Sequence, residues 1–111
     1  MQNTHKFEAV SDGAGGFDDK TISRGDIGCR LSQSNLSVQI HVAGLDGGNY
    51  DVFIKPVEVD SFIVFQSNAT ETDLVSIPQA TASYDDIRIV FAGLGGNAEP
   101  VITFTSFNKG F

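Results

Sequence analysis

The sequence is short of most residues that carry chemistry or tie a chain to itself. It has one cysteine, Cys29, so no disulfide can form within the chain. Cys29 lies between Ile27 and Leu31 in an alternating segment, with Arg30 as its only adjacent base. It reads as a small buried hydrophobe rather than a reactive thiol. There is no tryptophan, and there are only two tyrosines, Tyr50 and Tyr84, a poor supply for the flat aromatic platforms that hold sugars. The two histidines, His5 and His41, have no second ligand at metal-binding spacing. No catalytic, cofactor-binding or metal-ligating residue is assigned, and the chain reads as non-enzymatic. Seven bases stand against fourteen acids, a net charge of −7, and Lys6, Lys20, Arg24, Arg30, Lys55, Arg88 and Lys109 are scattered. That argues against nucleic acid as a partner, because phosphate-backbone binding needs clustered Lys and Arg. No apolar run approaches the ~20 residues of a membrane helix. "MQNTHKFEAV" has no apolar stretch of signal-peptide type. The expectation is a soluble chain beginning at or near Met1, with no membrane partner.

What is present is apolar alternation with a period of two. Leu36, Val38, Ile40 and Val42 alternate with Ser37, Gln39 and His41. Tyr50, Val52 and Ile54 alternate with Asp51, Phe53 and Lys55, and Ile87, Ile89 and Phe91 with Asp86, Arg88 and Val90. "VITFTSF" (101–107) is β-branched and aromatic throughout, "LVSIP" stops at Pro78, and "SFIVFQ" (61–66) is apolar on both faces. The last pattern places a strand between layers or at an interface. Polar stretches between Asn68 and Asp86 read as connections, with room for one short helical turn. The pattern predicts an all-β, single-domain antiparallel β-sandwich, jelly-roll-like, with Gly-rich turns. Its expected core is Val38, Ile40, Val42, Val52, Ile54, Val64, Ile87, Ile89, Phe91 and Phe104.

Two strings look alike: "HVAGLDGGNY" (41–50) and "VFAGLGGNAEP" (90–100). A phosphate-cradling loop would lead from a strand into a helix N-terminus. Both strings lead into another alternating segment, so they read as hairpin turns, with a positive φ expected in each pair, Gly47/Gly48 and Gly95/Gly96. Acids cluster at Asp12, Asp18, Asp19 and Asp26 and at Asp85 and Asp86 without the alternating spacing of a calcium loop, and read as solvated.

The N-terminal region is Gly- and Asp-rich in "SDGAGGFDD" (11–19). Residues 1–25 are expected to form an N-terminal arm or loop-rich extension, and residues 26–111 the β-sandwich domain. "HKFEAV" reads either as a strand or as an extension ordered against a neighbouring subunit. On the arm reading, removing residues 1–17 leaves the domain folded. Phenylalanine is abundant, with nine residues. Phe7, Phe17, Phe62, Phe65, Phe107 and Phe111 are the candidate interface residues, since apolar residues outnumber the places in one small sandwich.

The run "GLDGGNYDVFIKP…SFIVFQ…TDLVSIP…YDDIRIVFAGLGGNAEPVITF", about Gly44 to Phe104, resembles small β-sandwich virion proteins of tailed bacteriophages. The shared motifs are a Gly-x-Tyr-x-Val strand, an F-x-x-F strand and a Tyr-Asp-x-Ile-Arg-Ile strand, in that order. The head-decoration or capsid-stabilising type is the nearest in kind. The resemblance implies a homo-oligomer, a trimer in the typical case, that sits in the virion and binds the major capsid protein, often through an N-terminal arm. The alternative is a tail- or fibre-associated module that binds a carbohydrate or host receptor.

Overall fold

The computed structural model describes residues 2–14, 16–23, 36–56, 59–77 and 84–108. Wherever branched apolar residues alternate with polar ones, the chain is extended. The strands are β1 (Gln2–Glu8), β2 (Lys20–Ser23), β3 (Leu36–Ala43), β4 (Asn49–Pro56), β5 (Ile63–Ala69), β6 (Val75–Ile77), β7 (Tyr84–Ala92) and β8 (Val101–Asn108). No helix occurs among the described residues. The strands form two sheets, in the orders β1-β8-β3-β6 and β2-β7-β4-β5. Each strand pairs with its counterpart from the other end of the chain: β1 with β8, β2 with β7, β3 with β6 and β4 with β5, all antiparallel. A long antiparallel ribbon, rolled so that successive pairs fall in alternate sheets, gives this order. It is the jelly roll.

The facing sides of the sheets make one core. Ile22, Val38, Ile40, Val42, Tyr50, Val52, Ile87, Ile89, Ile102 and Phe104 are fully buried, and Ile54, Val75 and Ile77 are buried with them. The expected core therefore holds except at two positions. Phe91 is only partly buried, and Val64 is 55% exposed. The reason for Val64 is local. The β4–β5 ladder shifts register twice: Val52 faces Gln66 but Phe53 faces Val64, leaving Phe65 as an extra residue, and Asp51 stands across from both Ser67 and Asn68. Each shift is a bulge that resets which side chains face inward. Asn68 takes the left-handed conformation there (φ 57°), and its amide donates to Asp51 Oδ1 at 2.8 Å.

The N-terminal segment departs from the expected arm. β1 is hydrogen-bonded along β8 from Gln2↔Phe107 to Glu8↔Val101, and β2 along β7 from Lys20↔Ile89 to Ser23↔Asp86. The described residues before the expected boundary at residue 25 are therefore part of the sandwich: Gln2–Glu8 and Lys20–Ser23 give one edge strand to each sheet. Lys20 Nζ lies 4.9 Å from the centre of the Phe7 ring, so β1 and β2 close the same side of the sandwich. The Gly- and Asp-rich stretch between them is the loop expected. Asp12 folds it back by accepting from the amides of Ala14 and Gly16.

The two look-alike strings are not hairpins. β3 and β8 belong to one sheet, β4 and β7 to the other, so each string is a corner that carries the chain across the core. The corners lie side by side. Asn97 N donates to Asp46 Oδ2 at 3.0 Å, and Glu99 N to Gly44 O at 2.9 Å. The shared signature is Ala-Gly-Leu. Gly44 (φ 78°) and Gly93 (φ 63°) adopt the same left-handed conformation, and the following Leu45 is fully buried while Leu94 packs on the core. In the Gly-Gly pairs only Gly47 has positive φ, 84°. Gly95 and Gly96 do not. Gly95 is needed instead for space, because a Cβ there would overlap the Asp46 carboxylate.

Candidate interaction surface

The outer face of the β2-β7-β4-β5 sheet departs from the polar exterior that a half-buried sheet is expected to show. On β4 the inward residues are Tyr50, Val52 and Ile54, which turns Asp51, Phe53 and Lys55 outward. Phe53 is paired across the ladder with Val64 on one side and Arg88 on the other, and Arg88 is paired with Thr21. One row therefore crosses the sheet as Val64–Phe53–Arg88–Thr21. The chain entering β5 adds to it. The Phe62 ring lies against the Arg88 guanidinium, 4.0 Å from Cζ to ring centroid. Val64 is 55% exposed in this row, whereas Ile63, paired with the core residue Ile54, turns to the other face of the sheet. The result is a flank of one apolar row with Arg88 set in it, next to the charged row in which Lys55 pairs across the ladder with Asp86.

Arg88 is held in place by its own chain. Its Nε donates to Thr21 Oγ1 at 3.3 Å and its plane stacks on Phe62, an arrangement that guanidinium suits. Among the described residues no carboxylate pairs with it; the ion pair nearby is Lys55 with Asp60, at 3.6 Å. The edge of the flank is β5, and its two bulges spoil it as a template for strand addition. What this edge offers is side-chain surface.

The candidate interface phenylalanines distribute unevenly. Phe62 is on the flank. Phe65, the bulged residue, is partly buried against the core. Phe7 packs on the core beneath Lys20, with His5 stacked on it at 6.4 Å. Phe17 meets Phe91 edge-on at 6.5 Å between ring centroids, inside the protein's own corner. The backbone of Phe107 is in β8, paired with Gln2 and Ser37, and its side chain lies outside the described residues, as do Phe111 and Cys29. The structure thus brings Phe62 together with Arg88, in one row with Phe53 and Val64, which sequence reasoning did not assign as a set. The signal was the double-faced apolar run "SFIVFQ"; the bulges decide which of its residues face out.

The end of the sandwich where the four corners meet is acidic. Glu8, Asp12, Asp18, Asp19, Asp46, Glu71, Asp73 and Glu99 lie on or beside the corners between β1 and β2, β3 and β4, β5 and β6, and β7 and β8. Several of these carboxylates hold the corners. Glu71 accepts from Leu45 N, and its carbonyl oxygen lies 2.8 Å from His41 Nε2. Asp73 accepts from Thr70 N at 2.8 Å. A hollow of about 340 Å³ opens beside them, lined by Glu8, Ala9, Phe17, Glu99, Pro100 and Val101. Among the described residues no group of three or more His, Cys, Asp or Glu is placed to hold a metal ion. Tyr50 is the one titratable group strongly perturbed among the described residues. Burial first, then the negative charge of Asp73, push its hydroxyl up to about 12. That hydroxyl has no hydrogen-bond partner among the described residues. It reaches no outer surface, so its perturbation belongs to the core.

No protein-family model matches the chain, and no curated protein matches it.

Proposed function

We propose that the chain is a non-enzymatic structural protein of a tailed-phage virion, a capsid decoration or stabilising subunit that forms a homotrimer and binds the major capsid protein. The observation that carries this reading is the flank. A small acidic domain leaves Val64 exposed in one outer row with Phe53 and Arg88, against which Phe62 lies. Contiguous apolar surface of this kind on a small domain marks a protein–protein contact. The jelly roll supports the reading in a limited way, since the architecture serves viral shells and also lectins and cupins, and a fold does not dictate function. The sequence resemblance over Gly44 to Phe104 supplies the class of assembly and its order of three.

The test is co-sedimentation. Shells assembled from a major capsid protein of a tailed phage are incubated with the chain and pelleted. The reading expects the chain in the pellet at a fixed ratio to shell subunits, and Val64→Lys in the supernatant. Wild-type chain that stays in the supernatant over a series of such shells contradicts the capsid assignment.

A further inference from the structure

We infer that β1 is a docking edge for an extended segment of another protein, which adds to the first sheet as a fifth strand and brings a basic residue to the corner of Glu8, Asp18 and Asp19. The site stands whether or not the chain assembles in a virion.

The four sheet edges differ. β2 has four residues, β6 has three, and β5 is broken by two bulges. β1 has seven residues, no proline and an unbroken register on β8. One hydrogen bond fixes which of its backbone groups are free. Ala9 N donates to Pro100 O at 3.0 Å, one step past the pair Glu8↔Val101. Backbone groups alternate in direction along an antiparallel strand. Those of Asn3, His5 and Phe7 therefore turn to β8, and those of Gln2, Thr4, Lys6 and Glu8 point off the edge. No described strand pairs with them. A row of donors and acceptors at this spacing is what an added strand binds.

The chain itself begins such a strand. Past Glu8, residues 16–18 lie along the same outer side. Asp18 N donates to Val10 O at 2.8 Å and Asp12 N to Gly16 O at 3.1 Å, with Ser11 bridged antiparallel to Phe17. The chain then leaves for β2, and the ladder stops. A hollow of about 330 Å³ opens there between Glu8, Val10, Asp18, Asp19 and Lys20. Three carboxylates line it against one base, and that base, Lys20, is engaged on the Phe7 ring. A foreign strand that continues the ladder antiparallel starts opposite Glu8, where these carboxylates favour lysine or arginine. Two residues further it faces Lys6, which favours an acid. Between and beyond them the half-buried Phe7 and His5, stacked on each other, offer a ledge to apolar side chains. A second copy of β1 does not supply this pattern. Paired about its centre, it sets Gln2 across from Glu8 and Thr4 across from Lys6, and such a two-fold contact closes at two copies.

The test uses the end-blocked, fluorescently labelled peptide Lys-Val-Glu-Val-Thr-Val-Thr, whose residues fall opposite Glu8 to Gln2, with binding to the full chain read by anisotropy. Saturable binding is expected. Exchanging the peptide's lysine and glutamate should weaken it by about fivefold or more, the scale of two cross-strand charge pairs. N-methylation of its glutamate and first threonine, whose amides face β1, should abolish binding, while N-methylation of its valines, whose amides face away, should leave it. Lys6→Pro removes an outward N–H and no bond to β8, so it should keep the melting temperature and lose at least about tenfold in affinity. A wild-type chain that does not bind the peptide at millimolar concentration, or that binds both N-methylated forms alike, overturns the strand-docking edge. Equal affinity for the charge-exchanged peptide overturns the basic residue at the corner. A mass in light scattering without peptide that Lys6→Pro lowers assigns the edge to a second copy and overturns the foreign strand.

Discussion

Single residues in this protein show how the same side chain or glycine serves different needs. Tyr50 is fully buried, and its hydroxyl is held above its usual range by desolvation and then by Asp73. The folded state therefore keeps the neutral phenol to about pH 12, whereas the unfolded chain ionises near its ordinary value of 10.0. The stabilising difference is intact below pH 10 and is lost as the pH rises toward 12, amounting to about 2–3 kcal/mol. Tyr50→Phe should remove this alkaline loss, and should gain about 1 kcal/mol at neutral pH by deleting an unsatisfied buried hydroxyl. Urea titrations of both proteins from pH 7 to 11.5 read both effects; parallel pH profiles would contradict the burial of the phenol. The corner glycines separate two costs. Gly47 has positive φ and open space around its missing Cβ, so Gly47→Ala should cost about 1–2 kcal/mol of backbone strain. Gly44 has the same kind of φ, but a Cβ there would also overlap the carbonyl group of Glu99, which belongs to the neighbouring corner. Gly44→Ala should cost at least about 2 kcal/mol more than Gly47→Ala in the same titration, given what overpacking costs. Equal losses would show that the two corners do not press on each other.

At the scale of elements, the sequence is legible where alternation is unbroken. β3, β4 and β7 carry Val38, Ile40, Val42, Val52, Ile54, Ile87 and Ile89 at strict period two, and all are buried. β5 is not legible this way, because its two bulges flip the phase inside a run that is apolar at nearly every position. Ile89→Ala should therefore cost about 2–5 kcal/mol in thermal or urea melts, while Val64→Ala stays within about 0.5 kcal/mol for the single subunit. The corners were misread for another reason. A Gly-Gly turn tells the chain to reverse, but whether the next strand rejoins the same sheet or the opposite one is decided by distant partners, here β8 for β3 and β7 for β4. The same holds for β1: "HKFEAV" leaves a strand and an extension both open in sequence, and its register on β8 decides for the strand. Removing residues 1–8 should consequently destabilise the domain by roughly 3 kcal/mol or more, since Phe7 packs against the core and β8 loses a neighbour. A truncated chain that melts with the full-length one would restore the view of this segment as a detachable arm.

For the whole molecule, the jelly roll explains why apolar surface collects where it does. Each sheet has two edges: β2 and β6 are short and β5 is bulged, which resists pairing with a foreign strand, while the seven-residue β1 is a regular edge. The side-chain surface is uneven: carboxylates crowd the end where the corners meet, while the outer face of the second sheet carries the row Val64, Phe53 and Arg88, with Phe62 against Arg88. The candidate surface was half-legible in sequence. The excess of apolar residues in "SFIVFQ" pointed to an interface, but the phenylalanines scattered elsewhere turned out, where described, to pack on the protein's own body. Arg88 entered the set only through its cross-strand neighbours. The central claim is that the flank joins copies of this chain, and its most direct test is the mass in solution of wild type and Val64→Lys by size-exclusion chromatography with light scattering. The account predicts a wild-type trimer and a folded, monomeric Val64→Lys. A wild type and a variant of the same mass, whether both monomeric or both assembled, would contradict it.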